Sequence, residues 1–447
     1  MFIHAETALL PTGWANNVRI EIADGKVMSV TPDVEAAAGD DRHAVLVPAM
    51  PNLHSHAFQR AMAGMVERRG ATQDSFWSWR TLMYRFALSM TPEQVEAVAA
   101  QLYMEMLEAG FGRVGEFHYL HHDKDGAHYA NIAELGERIA AAAAQTGISL
   151  TLLPVLYAHS GFGGQPPVEG QRRFVNSPDS FERLLEGCRQ AVSALPESVV
   201  GVAPHSLRAV TPEELSFAAQ LAPDAPLHIH IAEQVKEVED CIAWSGKRPV
   251  EWLLDNAEVT DRWCLIHATH LTEAETRGVA ERGSVAGLCP ITEANLGDGT
   301  FAAVEYFKHD GAFGIGSDSN VLIGVGEELR QLEYSQRLSH RARNVIAPAN
   351  GSTGRTLFDG ALAGGAKALG VKAGIAAGMA ADISSLNLDA APYLQCDDIL
   401  DGWIFGNLVK PRTVWIGGKA VVRDGAHICR DEIARRFQHT MRQLLSV

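Results

Sequence analysis

No apolar run in this 447-residue chain approaches the ~18–20 residues that cross a bilayer. The opening MFIHAETALLPTG lacks a basic segment followed by an apolar one. Together these absences lead to the expectation of a soluble, cytoplasmic protein. Cysteine is sparse: six residues, none in CxxC spacing, which argues against a disulfide framework and for buried or free thiols. Positive charge is short as well. Thirty-eight Lys and Arg face 54 Asp and Glu, a net charge of −16 with no basic tract, which argues against nucleic acid or an anionic membrane as partner. Low-complexity segments and repeats of 20–50 residues are not seen, and 47% hydrophobic with 21% charged residues is globular composition. What the chain does have is histidine, 18 in all.

The middle of the sequence alternates short apolar runs with helical patterns. Strands are predicted over 44–53, 111–117, 148–157, 198–204, 226–232, 262–266, 283–289 and 311–316. Helical stretches lie between them, over 92–109, 130–145, 178–194, 211–221, 233–244, 271–282 and 326–340. The first opens Thr91-Pro92-Glu93, an N-cap followed by proline at the first helical position. Eight apolar strands, each leading to a helix, predict a closed (β/α)8 TIM barrel. The flanks differ. VRIEIA and KVMSVTP around Asp24-Gly25, and ADISSLNLD with TVWIGGKAVVRDG near the other end, are short alternating strands with no room for separate cores. The expected division is a small β-sandwich from 1–47 and 375–428, a barrel over 48–374, and a terminal helix over 429–447.

Nine histidines fall at or just past predicted strand ends: His54, His56, His118, His159, His205, His228, His230, His267 and His270. One such residue is compatible with a structural hydrogen bond; nine on the face where barrels carry their active sites call for a common cause. His54-Ser55-His56 places two imidazoles on one side of an extended segment, and His228-Ile229-His230 does the same before Glu233. His267 follows the sixth strand, and Asp318 sits among small residues in Gly314-Ile315-Gly316-Ser317-Asp318. Three neutral imidazoles and one carboxylate suit Zn²⁺ or Fe²⁺. Glu233 and Asp318 then stand beside the water of such an ion as proton acceptors.

The order HxH, HxxE, His and SD between two β-flanks resembles the amidohydrolase superfamily. More narrowly, PNLHSHAFQRAMAG and CPITEANLGDG resemble its deaminase branch and the deiminases that act on N-formimino-L-glutamate. The resemblance covers essentially the whole chain. It implies one divalent metal, usually zinc, on His54, His56, His230 and Asp318, with His228 left to packing or a supporting contact. GVAPHSLRAV holds no lysine to bridge a second metal. The resemblance further implies that Glu233, His267 and Asp318 carry the chemistry, and that Gln59, Tyr119, His205 and Arg208 hold the substrate's glutamate portion. Arg208 offers a planar fork suited to a carboxylate. The implied reaction is hydrolytic deamination of N-formimino-L-glutamate, a small acidic substrate, by a homodimer. A nucleobase or related heterocycle is the alternative substrate.

Several residues have less definite expected places. His118, His121, His122 and His128 read as surface-loop residues. His159 opens a glycine-rich loop that could cover the site. Glu293 and Asn295 are candidates for framing the pocket, and Trp77-Ser78-Trp79 for a lid, a subunit interface or plain core.

Overall fold

Alternation of Val18, Ile20 and Ile22 with polar residues buries one face of the second of four strands that begin the chain. These are β1 (Phe2–Leu10), β2 (Gly13–Ala23), β3 (Lys26–Thr31) and β4 (Asp41–Pro48). The computed structural model describes residues 1–67, 69 and 76–446. Asp24 and Gly25, with φ of 50° and 79°, supply the left-handed turn between β2 and β3.

Eight parallel strand positions follow. They are β5 (Met50–Ser55), β6 (Phe111–His118), β7 (Ser149–Leu156), a split pair β8 (Val199–Val200) and β9 (Ala203–Pro204), β10 (Leu227–Ile231), β11 (Trp263–His267), β12 (Val285–Leu288) and β13 (Ala312–Ile315). Parallel pairing links β5 to β8 and β10 to β13. Bridges Ser55↔Asp318, Val202↔Leu227 and Ser206↔His230 join the two arcs. At one seam the Asp318 N–H donates to the His54 carbonyl at 3.0 Å, and the His56 N–H to the Asp318 carbonyl at 3.1 Å. The fold is therefore a closed (β/α)8 barrel.

After the barrel come β14 (Ile383–Asn387), β15 (Lys410–Ile416), β16 (Lys419–Arg423) and β17 (Ala426–His427). They join the first four strands in one sheet, ordered β17-β16-β15-β14-β4-β1-β2-β3. Ile3, Val18, Ile20, Leu46, Ile383 and Trp415 pack into a single core drawn from both ends of the chain. A final helix, Arg430–Leu445, lies on helix Pro92–Glu108, where Arg436 meets Glu96 at 2.7 Å and Arg430 meets Glu108.

The helices start as the sequence suggests. Thr91 accepts the Gln94 N–H in a capping box, Thr211 accepts the Glu214 N–H in another, and Ser177 caps its helix by accepting the Ser180 N–H; a proline follows each of the three. Two expectations change. The run 44–53 is two strands: β4 belongs to the end sheet and β5 to the barrel, and both are buried at the junction, so hydropathy shows no break. Helix Thr353–Ala368 was not foreseen, because its four glycines read against a helix. They are there for contact: a Cβ on Gly364 would stand 1.9 Å from the Phe313 carbonyl oxygen, so the helix lies directly on the barrel wall.

Candidate active site

The C-terminal mouth of the barrel gathers what the strand ends carry. His54 Nε2 lies 3.2 Å from His56 Nε2, 3.0 Å from His230 Nε2 and 3.2 Å from Asp318 Oδ1; His56 Nε2 lies 3.1 Å from the same oxygen. All four side chains are buried. Their ligand atoms fall within 4.8 Å of one another, and among the described residues no other such group occurs. Asp318 sits in left-handed backbone at φ 44°, with Asn320 at 59°, which turns the carboxylate back over β5.

The donor set fits a divalent ion. His56 Nδ1 meets the Phe117 carbonyl at 2.9 Å and His230 Nδ1 meets the His205 carbonyl at 3.0 Å. A carbonyl only accepts, so both Nδ1 atoms carry the hydrogen and both Nε2 lone pairs turn to the common centre. Donors bonded at ~2.0–2.2 Å to one ion stand about 3–3.5 Å apart, as the four pairs measured above do. Burial pushes His54 down to about 3 and holds it neutral. Burial alone would lift the Asp318 carboxyl, but contacts with His54 and His56 hold it well below its usual range.

Beside this cluster stand Glu233 and His267. Burial raises the Glu233 carboxyl to about 7, helped by Asp318 and Glu237 and opposed by His267. Burial works against charge on His267, yet Glu233, Glu293 and Asp318 together raise it to about 10. Its Nε2 is 3.8 Å from Glu233 Oε1, and its Nδ1 is 3.4 Å from Glu293 Oε1. Glu237 clamps the turn after β10 by accepting the N–H groups of Ala232 and Glu233 at 3.3 and 3.1 Å.

The cavity above the cluster is lined by Gln59, Tyr119, His205 and Arg208, the four residues proposed for the substrate, together with Glu233, His267 and Asp318. Gln59 donates to the Tyr119 hydroxyl at 2.9 Å. Arg208 is buried, and its Nε has no hydrogen-bond partner among the described residues. Sequence reasoning missed Arg80, Tyr84 and Tyr157 on the same lining. Arg80 donates to the Tyr84 hydroxyl at 2.6 Å and reaches the Tyr157 hydroxyl at 3.5 Å. Arg80 and Tyr84 share the helix Phe76–Ser89 and Tyr157 follows β7, with no motif joining them, and the one-turn spacing of Arg80 and Tyr84 is the only sequence signal of a common face.

Other expectations are corrected. His118 is buried as the last residue of β6, and His121 and His122 are buried because the loop after β6 packs on segment 171–176; His121 and His122 donate to the Val155 and Val175 carbonyls at 3.0 and 2.9 Å. His128 alone of the four is exposed. His228, by contrast, keeps the packing role expected of it, donating to the Ala368 carbonyl at 2.7 Å, deep in the barrel. His159 pairs with Glu214 at 3.0 Å and does not line the cavity. Asn295 turns outward to Glu67 at 2.7 Å. Trp79 lines the cavity, while the side chains of Trp77 and Ser78 lie outside the described residues.

A barrel whose mouth converges three imidazoles, a carboxylate and a buried glutamic acid defines a hydrolase of the metal-centred barrel class. The chain belongs to the amidohydrolase family, whose model matches residues 45–421, while the model described as the N-terminal domain of formimidoylglutamate deiminase HutF matches residues 1–44. It is 52% identical to a formimidoylglutamate deiminase of Pseudomonas aeruginosa, over 99% of each chain. It is 28% identical to an 8-oxoguanine deaminase of the same species, over 86% of this chain and 83% of the other. Among solved structures, an amidohydrolase from Brucella melitensis superposes with a TM-score of 0.98 at 62% identity, over 99% of each chain.

Proposed function

We propose that this chain hydrolyses N-formimino-L-glutamate to N-formyl-L-glutamate and ammonia, as a cytoplasmic homodimer acting in histidine degradation. The observation that carries the reading is the buried Arg208 in the same cavity as the histidine–aspartate cluster and Glu233. With Arg80 it gives two guanidinium groups for the two carboxylates of a glutamate, and a planar heterocycle has nothing to offer them. The full-length likeness to the Pseudomonas deiminase supports the same substrate. In this reading residues 48–374 are the catalytic unit, with 1–47 and 375–428 as the β-domain and 429–447 as the closing helix.

His54, His56, His230 and Asp318 would hold the ion, for which we propose zinc, with iron compatible with the same ligands. Such an ion, when bound, supplies Lewis acidity and an activated water. The chain's own groups manage the substrate and the protons. Gln59, Tyr119, His205, Arg208 and Arg80 hold the glutamate portion, which leaves the formimino carbon facing Glu233 and Asp318. Asp318, with Glu233, takes the proton of the attacking water as its oxygen bonds to that carbon, while His267 polarises the substrate or orients that water. Glu233, poised near neutrality, then delivers a proton to the departing nitrogen, and the C–N bond breaks to release ammonia.

Ammonia release measured across N-formimino amino acids and nucleobases, with metal content read on the same sample, tests the proposal. Turnover should be confined to the formimino-glutamate type. Arg208→Met should raise KM sharply for it, and an unchanged KM would favour a heterocyclic substrate.

A further inference from the structure

Glu293 lies in the short helix Pro290–Leu296 and is 5% exposed. Its Oε1 accepts the Cys289 N–H at 2.9 Å and faces His267 Nδ1 at 3.4 Å. In that contact the ring nitrogen donates its hydrogen to the carboxylate oxygen. The other ring nitrogen is thereby left toward Glu233, 3.8 Å from its Oε1. His267 needs such a hold. It ends β11 in left-handed backbone at φ 67°, followed by Ala268 at 47°, so the regular strand no longer sets its side-chain direction. Its ring lies nearly parallel to that of His230, with centroids 5.5 Å apart and planes 15° from each other; this stacking limits tilt but does not choose between the two ring nitrogens.

We propose that Glu293 is a positioning residue for the reaction: through Nδ1 it fixes the ring orientation of His267, so that Nε2 faces Glu233 and the substrate. The inference rests on the deiminase reading above, in which His267 acts on the reacting centre. It goes beyond a helix-capping role, for which the Cys289 N–H contact would suffice.

The test uses the metal-loaded enzyme and the variant Glu293→Leu. We expect kcat to fall about 10–100-fold, with KM and metal content unchanged. In the His267→Asn background the same change should cost nothing further, because the residue it positions is gone. A capping role alone would lower the melting temperature and multiply the loss in both backgrounds, and that result would overturn the proposal. The ¹⁵N shifts of the His267 ring, assigned by their disappearance in His267→Asn, provide a second measurement independent of turnover. They should report a single ring environment in the native chain and an altered, averaged one in Glu293→Leu; unchanged shifts would also overturn it. Failure of the native enzyme to turn over N-formimino-L-glutamate would count against the proposed function alone, since the ring shifts test the positioning separately.

Discussion

A methyl group at position 316 would stand 2.7 Å from His54 Cβ and 2.8 Å from the His54 carbonyl oxygen. Backbone on both sides of that contact cannot yield easily, so Gly316→Ala should displace His54 and Asp318 relative to each other. We expect it to lower metal affinity by 10-fold or more while the chain still folds, as read by metal titration beside far-UV dichroism. Glu233→Gln should do the opposite: keep the metal and lose about 10²–10⁴-fold in kcat. The positions of these residues are legible in sequence because side chains two apart on a strand share a face, which marks His54 with His56. Choosing His230 over His228 needed the family likeness, since both point the same way along β10. Glu237 left no signal: it is an ordinary acidic residue in the first turn of a helix until the fold brings its carboxylate to two backbone N–H groups.

At the scale of elements, the seam between β5 and the loop after β13 is held by side chains as well as backbone. Asn52 donates to Ser317 Oγ at 2.7 Å and accepts the Ser317 N–H at 3.1 Å. Asn320 donates to the carbonyls of His56 and Asp318 at 3.0 and 2.9 Å, and accepts from Ser317 Oγ at 2.6 Å. Every member of the network is buried. Asn320→Ala therefore leaves buried acceptors unmade and should destabilise the fold by about 1–3 kcal/mol. Because it also frees the two segments that carry His56 and Asp318, metal should bind about 10–100-fold more weakly. Denaturant titration and metal competition measure the two effects. The barrel strands are readable from their apolar runs, but this seam is not, because it joins residues some 265 positions apart through polar side chains that resemble loop residues. The same limit hid the boundary at Ala49 and the glycine-rich helix Thr353–Ala368, where contact with the barrel outweighs local preference.

Across the whole molecule, histidine has a second consequence. Burial pushes His118 down to about 3, and His122 and His228 to about 4, so all three are neutral when folded. Once unfolded, each takes up a proton near 6.5. Stability present above pH 6.5 is therefore lost as pH falls toward 4, at about 1.4 kcal/mol per pH unit for each residue. Denaturant midpoints of the metal-free protein should drop steeply over that interval, and His228→Gln should flatten the slope by one residue's share. Finally, β4 and β14 are partners in the end sheet, pairing Pro48 with Ile383, so 335 residues (383 − 48) separate the two sides of one ladder. A ribosome adding roughly 5–20 residues per second leaves β4 without that neighbour for about 17–67 s. Through that interval the nascent chain carries a bare strand edge, able to pair with another copy. A chain halted before β14 should accordingly form aggregates, whereas the same chain allowed to finish covers its own edge.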